Sequence, residues 1–162
     1  MSDSPLFLAA RIASISSSAF LSAFAFSASY YSLPAISLAP ITLRLQQWQV
    51  IYDLGKLVSP PLTAASGALW GWIAWTSRGS EDWKLYAVAG TVTFAVLPWT
   101  VGFMMPTNVE LMRRAKAAKE DAEGARFKEE SEAALKTWWW MNYVRAVLPM
   151  AGAWVGLYVA LR

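Results

Sequence analysis

Long stretches without charged side chains alternate with short polar segments along the chain. The uncharged stretches cover residues 12–43, 57–77 and 85–109, while residues 137–161 contain a single charge, Arg145. An α-helix needs roughly 20 apolar residues to cross a hydrocarbon core about 30 Å thick. These stretches show no strand-like alternation of apolar and polar positions, which disfavours a membrane barrel. The pattern therefore predicts an all-α membrane protein.

We predict a single domain, residues 1–162, that folds as a transmembrane four-helix bundle with a charged helical excursion between spans three and four. The expected ranges are about 6–38, 59–76, 85–105 and 138–160 for the spans and 109–137 for the excursion. Ser59 and the two prolines after it predict the N-terminus of the second span. The excursion contains seven basic and seven acidic residues, as solvated helices favour. A docking surface for a partner enzyme is the alternative interpretation of it.

The fourth span carries polar residues on one helical face. A stripe at alternating steps of four and three residues contains Trp138, Asn142, Arg145, Pro149, Gly152 and Gly156. Because small residues let membrane helices approach one another, this stripe is expected to face the protein interior. Arg145 would then lie roughly 12 Å into the span. The alternative is that its long stem carries the charge back to the headgroups.

Four antiparallel spans bring further polar residues to the same side of the membrane as Arg145. The residues expected there are Trp48, Tyr52, Asp53, Lys56, Trp99, Thr100, Thr107 and Asn108. Simpler interpretations exist for some of them. Asp53 and Lys56 also suit a surface ion pair, and Asn108 suits a helix cap. The tryptophans suit packing, and Trp139 and Trp140 suit an interfacial belt.

Composition narrows the chemistry. The chain is 56% hydrophobic and 15% charged, and it contains neither histidine nor cysteine. Thiol catalysis and disulfides are therefore excluded, and the commonest general base and metal ligand are missing. Since the predicted spans contain no acidic residue, we expect no metal site. The net charge of +3 does not indicate a nucleic-acid partner. The lipid bilayer is the expected environment, and no nucleic-acid partner is expected.

Three motifs occur in order along the chain. They are W-x-x-x-Y-D-x-G-K-x-x-x-P-P from Trp48 to Pro61, P-W-T-x-x-x-M-x-P-T-N from Pro98 to Asn108, and W-x-x-x-N-x-x-R from Trp138 to Arg145. Together they resemble the anthrone oxygenase-like family, small four-span membrane proteins that often belong to fungal aromatic polyketide pathways. The resemblance covers roughly residues 20–160.

The resemblance implies conversion of an anthrone to an anthraquinone with O2 and without a metal, flavin or haem. Arg145, Asn142 and Asn108 would stabilise the developing oxyanion. The base would be Asp53, Tyr52 or Lys56, with Asp53 preferred, unless the substrate phenols ionise beside the cation. The aromatic walls would come from Trp48, Trp99 and Trp138, and Thr100 and Thr107 would complete the substrate site.

Two other functions remain as alternatives. A non-catalytic membrane subunit could recruit a biosynthetic partner through residues 109–137. The second alternative is a small transporter of aromatic products, although the sequence has no inverted repeat or broken-helix pattern, which would support it. Nine basic residues on the Arg145 side place that side in the cytoplasm by the positive-inside rule. In the fungal host that the resemblance implies, a multi-pass protein of the endoplasmic reticulum is expected, and self-association into a homo-oligomer is left open.

Overall fold

The computed structural model describes residues 4–120 and 128–162, which are helical almost throughout. The elements are α1 (Pro5–Ser27), a π-helical turn π1 (Ala28–Ser32), α2 (Leu33–Ile36), α3 (Ile41–Thr76), α4 (Trp83–Phe94), α5 (Val96–Trp99), a second π-helical turn π2 (Thr100–Met104), α6 (Met105–Glu120) and α7 (Lys128–Leu161). No strand occurs in these two ranges. The prediction of an all-α protein is therefore confirmed over the described residues.

Within residues 4–120 and 128–162, three helical segments are long and apolar enough to cross a membrane. They are Pro5–Ile36, Trp83–Glu120 and Lys128–Leu161. The chain is therefore a membrane protein. α3 joins them through packing, because α1 contacts both α3 and α7, and α4 contacts the same two helices.

The second long helix begins earlier than the sequence predicts. α3 starts at Ile41 and continues through Pro60 and Pro61, so Ser59 is not a helix start. A proline removes the N–H that would bond the carbonyl four residues earlier, which normally weakens a helix at this point. Here Leu45 and Trp48 pack into a core with residues of α6 and α7. Because of this tertiary packing, residues 41–58 stay helical and continuous with the rest of α3, although the prolines by themselves favour a break.

One end of the helices is closely packed, and we call it the closed end. Its apolar core contains Phe7, Trp70, Ile73, Tyr86 and Val159, among others. Next to this core, the Trp70 indole Nε1 donates to Ser18 Oγ at 3.0 Å. Ser18 Oγ also lies 3.2 Å from the hydroxyls of Ser66 and Thr93. Hydrogen bonds between side chains thus join α1, α3 and α4 inside an apolar environment, where such bonds hold helices together.

Two glycines of α7 allow the close approach of helices at the closed end. A methyl group on Gly152 would overlap Thr93 Oγ1 and would lie 2.7 Å from the Ala89 carbonyl oxygen. A methyl group on Gly156 would overlap the Trp70 ring. Both positions therefore require glycine, because α4 and the Trp70 ring already occupy the space that a side chain would need.

The other end, which we call the pocket end, contains the irregular backbone. π1, π2 and the pair Pro60–Pro61 lie there, and Pro149 interrupts the hydrogen bonding of α7 one turn beyond Arg145. A second apolar core, including Leu45, Trp48, Leu111, Leu135 and Trp138, covers this end. Segments of wide helical turn are often found next to functional sites.

Polar extensions of α3, α6 and α7 lie beyond the second core. Arg114 on α6 bonds Glu110 at 2.6 Å and Glu130 of α7 at 2.7 Å. Arg44 of α3 lies 3.7 Å from Glu132. Residues 109–120 and 128–137 of the predicted excursion are helical, and its remaining residues lie outside the described ranges.

Candidate functional site

A cavity of about 360 Å³ lies at the pocket end and is lined by all four long helical segments. The lining residues are Phe24, Ser27, Ala28, Ser32, Ile51, Tyr52, Leu54, Gly55, Lys56, Ser59, Pro60, Val96, Leu97, Thr100, Val101, Met105, Trp138 and Arg145. Most of this surface is apolar. Both π-helical turns and Pro60 of α3 contribute to it, so much of the irregular backbone lies at the cavity.

Two cationic side chains line the cavity, and none of the lining residues is acidic. Arg145 forms no hydrogen bond or ion pair with the described residues, and its Nε atom is buried without a partner. Lys56 instead lies 3.7 Å from Asp53 and is more than half exposed. Arg145 is therefore an inward cation whose hydrogen-bond donors are available to a ligand.

Aromatic rings form the wall next to Arg145. Trp138 and Tyr52 line the cavity, and Trp48 lies behind both of them. Trp48 stacks on Tyr52 with ring centroids 5.3 Å apart and meets Trp138 edge to face at 5.9 Å. The indole Nε1 atoms of Trp48 and Trp138 are buried without a partner in the described part of the chain. Tyr52 and Trp138, with Trp48 packed behind them, give the cavity a rigid aromatic side.

Five of the predicted site residues line the cavity together. They are Tyr52, Lys56, Thr100, Trp138 and Arg145. The Thr100 hydroxyl donates to the Val96 carbonyl oxygen at 2.7 Å, so only its lone pairs remain for a ligand. Trp138 and Arg145 both belong to the inward stripe that periodicity predicts for the fourth span.

The other six predicted residues do not line the cavity. Trp48 lies behind the aromatic wall, and the exposed Asp53 accepts a hydrogen bond from Gln49 at 2.9 Å. Trp99 Nε1 donates to the Met141 carbonyl oxygen, and the Thr107 hydroxyl contacts the sulfur of the same residue at 4.0 Å.

The two predicted asparagines are buried close to the cavity rather than in its wall. Asn108 is 2% exposed, and its Oδ1 atom has no partner among the described residues. Asn142 is fully buried, and its Nδ2 atom donates to α1. Neither residue is among those that line the cavity.

Sequence reasoning missed the contribution of the first span. Phe24, Ser27, Ala28 and Ser32 line the cavity from α1 and π1. Ser27 and Ala28 follow Phe24 by three and four residues, and Ser32 follows Ala28 by four, which was a usable signal because residues at these spacings share one helical face. Nothing in the sequence marked the π-helical turn, however, because its residues are ordinary helix formers in a membrane.

The described residues contain no group of three or more His, Cys, Asp or Glu side chains arranged to hold a metal ion. The cavity offers mainly aliphatic and aromatic side chains, together with hydroxyl groups and two cations. Such a set suits a flat aromatic molecule that carries or develops negative charge. The fold and the cavity define a small helical membrane protein with an internal cavity of this character.

Comparison with known proteins identifies the family. The family model described as anthrone oxygenase matches residues 48–155. Anthrone oxygenase encC of Aspergillus fumigatus is 30% identical over 167 residues, which cover 93% of this chain and 92% of that protein. Anthrone oxygenase AgnL2 of Paecilomyces divaricatus is 28% identical, with 91% and 92% covered. Noranthrone monooxygenase of Aspergillus flavus is 32% identical, with 70% and 54% covered. No solved structure matches the chain.

The chain therefore belongs to the anthrone oxygenase family, and it is an oxygenase. This result agrees with the resemblance that the three sequence motifs predict.

Proposed function

We propose that the protein oxygenates an anthrone-type aromatic polyketide to the corresponding anthraquinone with O2, in the cavity at the pocket end. The observation that carries the proposal is Arg145, a cation without a partner in a cavity with aromatic walls. A charge placed in a membrane protein at this depth is energetically expensive and therefore usually functional. A substrate that develops negative charge in the cavity would compensate it.

The size and shape of the cavity support a flat polycyclic substrate. Its volume of about 360 Å³ lies within the range of ordinary small-molecule sites, roughly 300–1,000 Å³. The rings of Trp138 and Tyr52 offer a face on which an aromatic ligand can stack. O2 and anthrones are both apolar, so both concentrate in lipid next to such a site.

The proposed chemistry needs no resident metal or organic cofactor, because the substrate supplies the electrons. The anthrone methylene loses a proton, and the resulting anion passes one electron to O2. The two radicals combine to form a C–O bond, and the peroxide takes up a proton. Loss of the remaining C–H proton and cleavage of the O–O bond then give the quinone carbonyl and one water. Anthrone and O2 are thus converted to anthraquinone and water.

Arg145 is proposed to stabilise the substrate anion and then the peroxide anion. Fixed donors in a site that excludes water are most effective when negative charge develops at a defined position. Lys56 would add a second cation at the more exposed side of the cavity. Tyr52 is the proposed proton acceptor or relay, assisted by ionisation of the substrate phenols beside the cations. Asp53 is exposed and paired with Lys56, which favours Tyr52 or the substrate itself over Asp53 as the base.

We also propose that the single domain spans the membrane four times as a helical bundle, with α3 as the span that composition alone does not identify. The charged excursion and the cavity mouth would then lie on the cytoplasmic side. A location in the endoplasmic reticulum is proposed because it would give a cytosolic polyketide synthase access to this face.

The proposal is tested with purified protein in lipid nanodiscs, an anthrone substrate and air-saturated buffer. Quinone should form faster than by autoxidation, and Arg145→Met should lower kcat about 100-fold or more. Arg145→Lys should retain part of the activity, since it keeps the charge but loses the planar donor array. The matched control is Arg78→Met, which removes an exposed cation that lies 3.7 Å over the Trp75 ring at the closed end.

Two results would overturn parts of the proposal. An Arg145→Met variant as active as Arg78→Met would refute the role of Arg145. Stoichiometric iron or copper in the active preparation, with loss of activity on chelation, would refute the cofactor-free mechanism while leaving the reaction itself in place.

A further inference from the structure

Asn142 lies on α7 opposite the junction of α1 and π1. It is completely buried, and its Nδ2 atom donates to the Ala25 carbonyl oxygen at 2.7 Å and to Ser29 Oγ at 2.9 Å. Both hydrogens of the amide are therefore used within the protein. Asn142 cannot donate to a ligand in the cavity without breaking one of these bonds.

Two further hydrogen bonds join the same segments. Ser29 Oγ donates to the Trp139 carbonyl oxygen at 3.3 Å, and Trp139 Nε1 donates to the Ser29 carbonyl oxygen at 3.1 Å. Ala25, Ser29, Trp139 and Asn142 thus form a set that we call the α1–α7 clamp. α1 packs extensively on α7, and in the clamp side chains of α7 also bond the backbone of α1 and π1.

The clamp lies where the backbone hydrogen bonding of the first span changes from the α-helical to the π-helical pattern. In an α-helix each carbonyl accepts from the N–H four residues later. In π1 the bond lengthens by one residue, as the Leu33 N–H donates to the Ala28 carbonyl oxygen. Side chains that insert into the regular ladder are a known cause of such irregular turns. The Asn142 amide donates to the Ala25 carbonyl oxygen at the start of this region.

The wide turn determines which residues of the first span reach the cavity. In a regular α-helix Ser32 would be rotated by about 80° from Phe24, because eight residues exceed two full turns. Because the turn of π1 contains an additional residue, the rotation per residue is smaller there, and the angle between Phe24 and Ser32 decreases. Phe24, Ala28 and Ser32 consequently lie on one side of the first helical segment, and all three line the cavity.

We propose that Asn142 and Ser29 are positioning residues, which hold π1 in its wide turn and thereby place the α1 wall of the cavity. Asn142 then acts through Ala28 and Ser32 rather than on the reacting atoms. Loss of the amide would let the first span return to a regular ladder, and Ser32 would turn away from the cavity. The kinetic part of this inference rests on the proposed function, whereas the structural part does not.

The absence of cysteine from the chain makes the structural part directly measurable. A thiol introduced by Ser32→Cys would lie in a cavity that also contains Lys56 and Arg145. Neighbouring cations favour the reactive thiolate, and an apolar environment disfavours it. The rate of maleimide labelling in nanodiscs should therefore fall about fivefold or more when Ser32→Cys is combined with Asn142→Leu or with Ser29→Ala.

Ser14→Ala is the matched control, because Ser14 is a buried serine of the same helix whose hydroxyl has no partner among the described residues. It should leave the labelling rate unchanged. Ser29→Thr, which keeps a hydroxyl, should restore much of the rate lost in Ser29→Ala. Since Ser29→Ala removes one oxygen atom, it keeps the test decisive if Asn142→Leu does not fold.

Steady-state kinetics separate positioning from catalysis. A positioning role predicts that Asn142→Leu raises KM for the anthrone about tenfold and changes kcat by less than about threefold. A fall in kcat alone, with the labelling rate unchanged, would instead make Asn142 a donor to the reacting atoms and overturn the inference. Unchanged labelling in both variants would also overturn it. If the wild-type protein does not oxidise anthrones, the proposed function fails and the labelling result still decides the role of the clamp.

Discussion

The closed end and the pocket end are built from the same helices but treat polar groups in opposite ways. At the closed end the Trp70 indole and the Ser18, Ser66 and Thr93 hydroxyls are connected by hydrogen bonds. Most buried side-chain atoms without a partner lie at the pocket end instead. Among the described residues they belong to Arg44, Gln47, Trp48, Asn108, Trp138, Asn142 and Arg145, compared with Arg11 and Ser14 towards the closed end.

The two ends also differ in the regularity of their helical backbone. Pro60 of α3 and residues of both π-helical turns line the cavity, whereas the closed end is made of regular helix with glycines at the contacts. Under the function proposed above, stability and function belong to separate regions of one small domain. Satisfied polar groups hold the closed end together. Of the unsatisfied atoms at the pocket end, Trp138 Nε1 and Arg145 Nε belong to residues that line the cavity.

The strongest test of this division adds a methyl group at each end. Gly152→Ala should destabilise the protein by about 3 kcal/mol or more, because the methyl group meets Thr93 and the backbone of Ala89. Gly55→Ala, at the cavity, should be tolerated, since an added Cβ has no atom within 4 Å. Thermal unfolding in detergent, followed by tryptophan fluorescence, measures both. Equal destabilisation by the two variants would contradict the division.

The next test asks whether activity and stability respond in opposite directions at Arg145. The activity of Arg145→Met should fall about 100-fold, as proposed above. Its melting temperature should stay the same or rise, because removal of a buried charge without a partner relieves a desolvation penalty. A large fall in melting temperature would show that Arg145 stabilises the fold and would weaken its assignment to the ligand.

A smaller effect is expected at Ser18, where substitution should lower stability and leave activity unchanged. Ser18→Ala removes the acceptor of the Trp70 indole and two hydroxyl contacts. The free energy of unfolding should decrease by about 1 kcal/mol, the usual size for hydrogen bonds between membrane helices. Activity per folded molecule should be unaffected. A change in KM would mean that the closed end communicates with the cavity.

The smallest effect is expected at Asp53. Asp53→Asn should change kcat by less than about twofold, because the carboxylate is exposed and its pairing with Lys56 is a surface contact. The measurement is a pH–rate profile of both proteins. If the variant loses most of its activity, Asp53 is the base after all, and the cavity must open towards it during the reaction.

The sequence was informative wherever periodicity alone decides the outcome. Charge-free stretches identify the helices, and the stripe on the fourth span contains Trp138 and Arg145, which both line the cavity. The same stripe contains Asn142, whose amide bonds the first span instead. Periodicity determines the face on which a residue lies, but it does not determine which neighbouring helix that residue contacts.

Local backbone chemistry was a weaker guide. Pro60 and Pro61 predicted a helix start, yet α3 passes through both because the residues before them pack against α6. Neither π-helical turn has a signature in its own sequence. π1 coincides with a partner more than 100 residues away along the chain, Asn142, so no window of neighbouring residues could have predicted it.

The length of α3 has a consequence for enzyme kinetics. Its 36 residues extend about 54 Å, well beyond a hydrocarbon core of about 30 Å, and Lys56 lies about 30 Å from the end of the helix at Thr76. With the four-span topology proposed above, the cavity would lie near the boundary between hydrocarbon and headgroups, where an apolar substrate would arrive by lateral diffusion. Rates should then follow the mole fraction of substrate in the lipid rather than its bulk concentration. Adding empty lipid at constant total substrate should slow the enzyme by surface dilution.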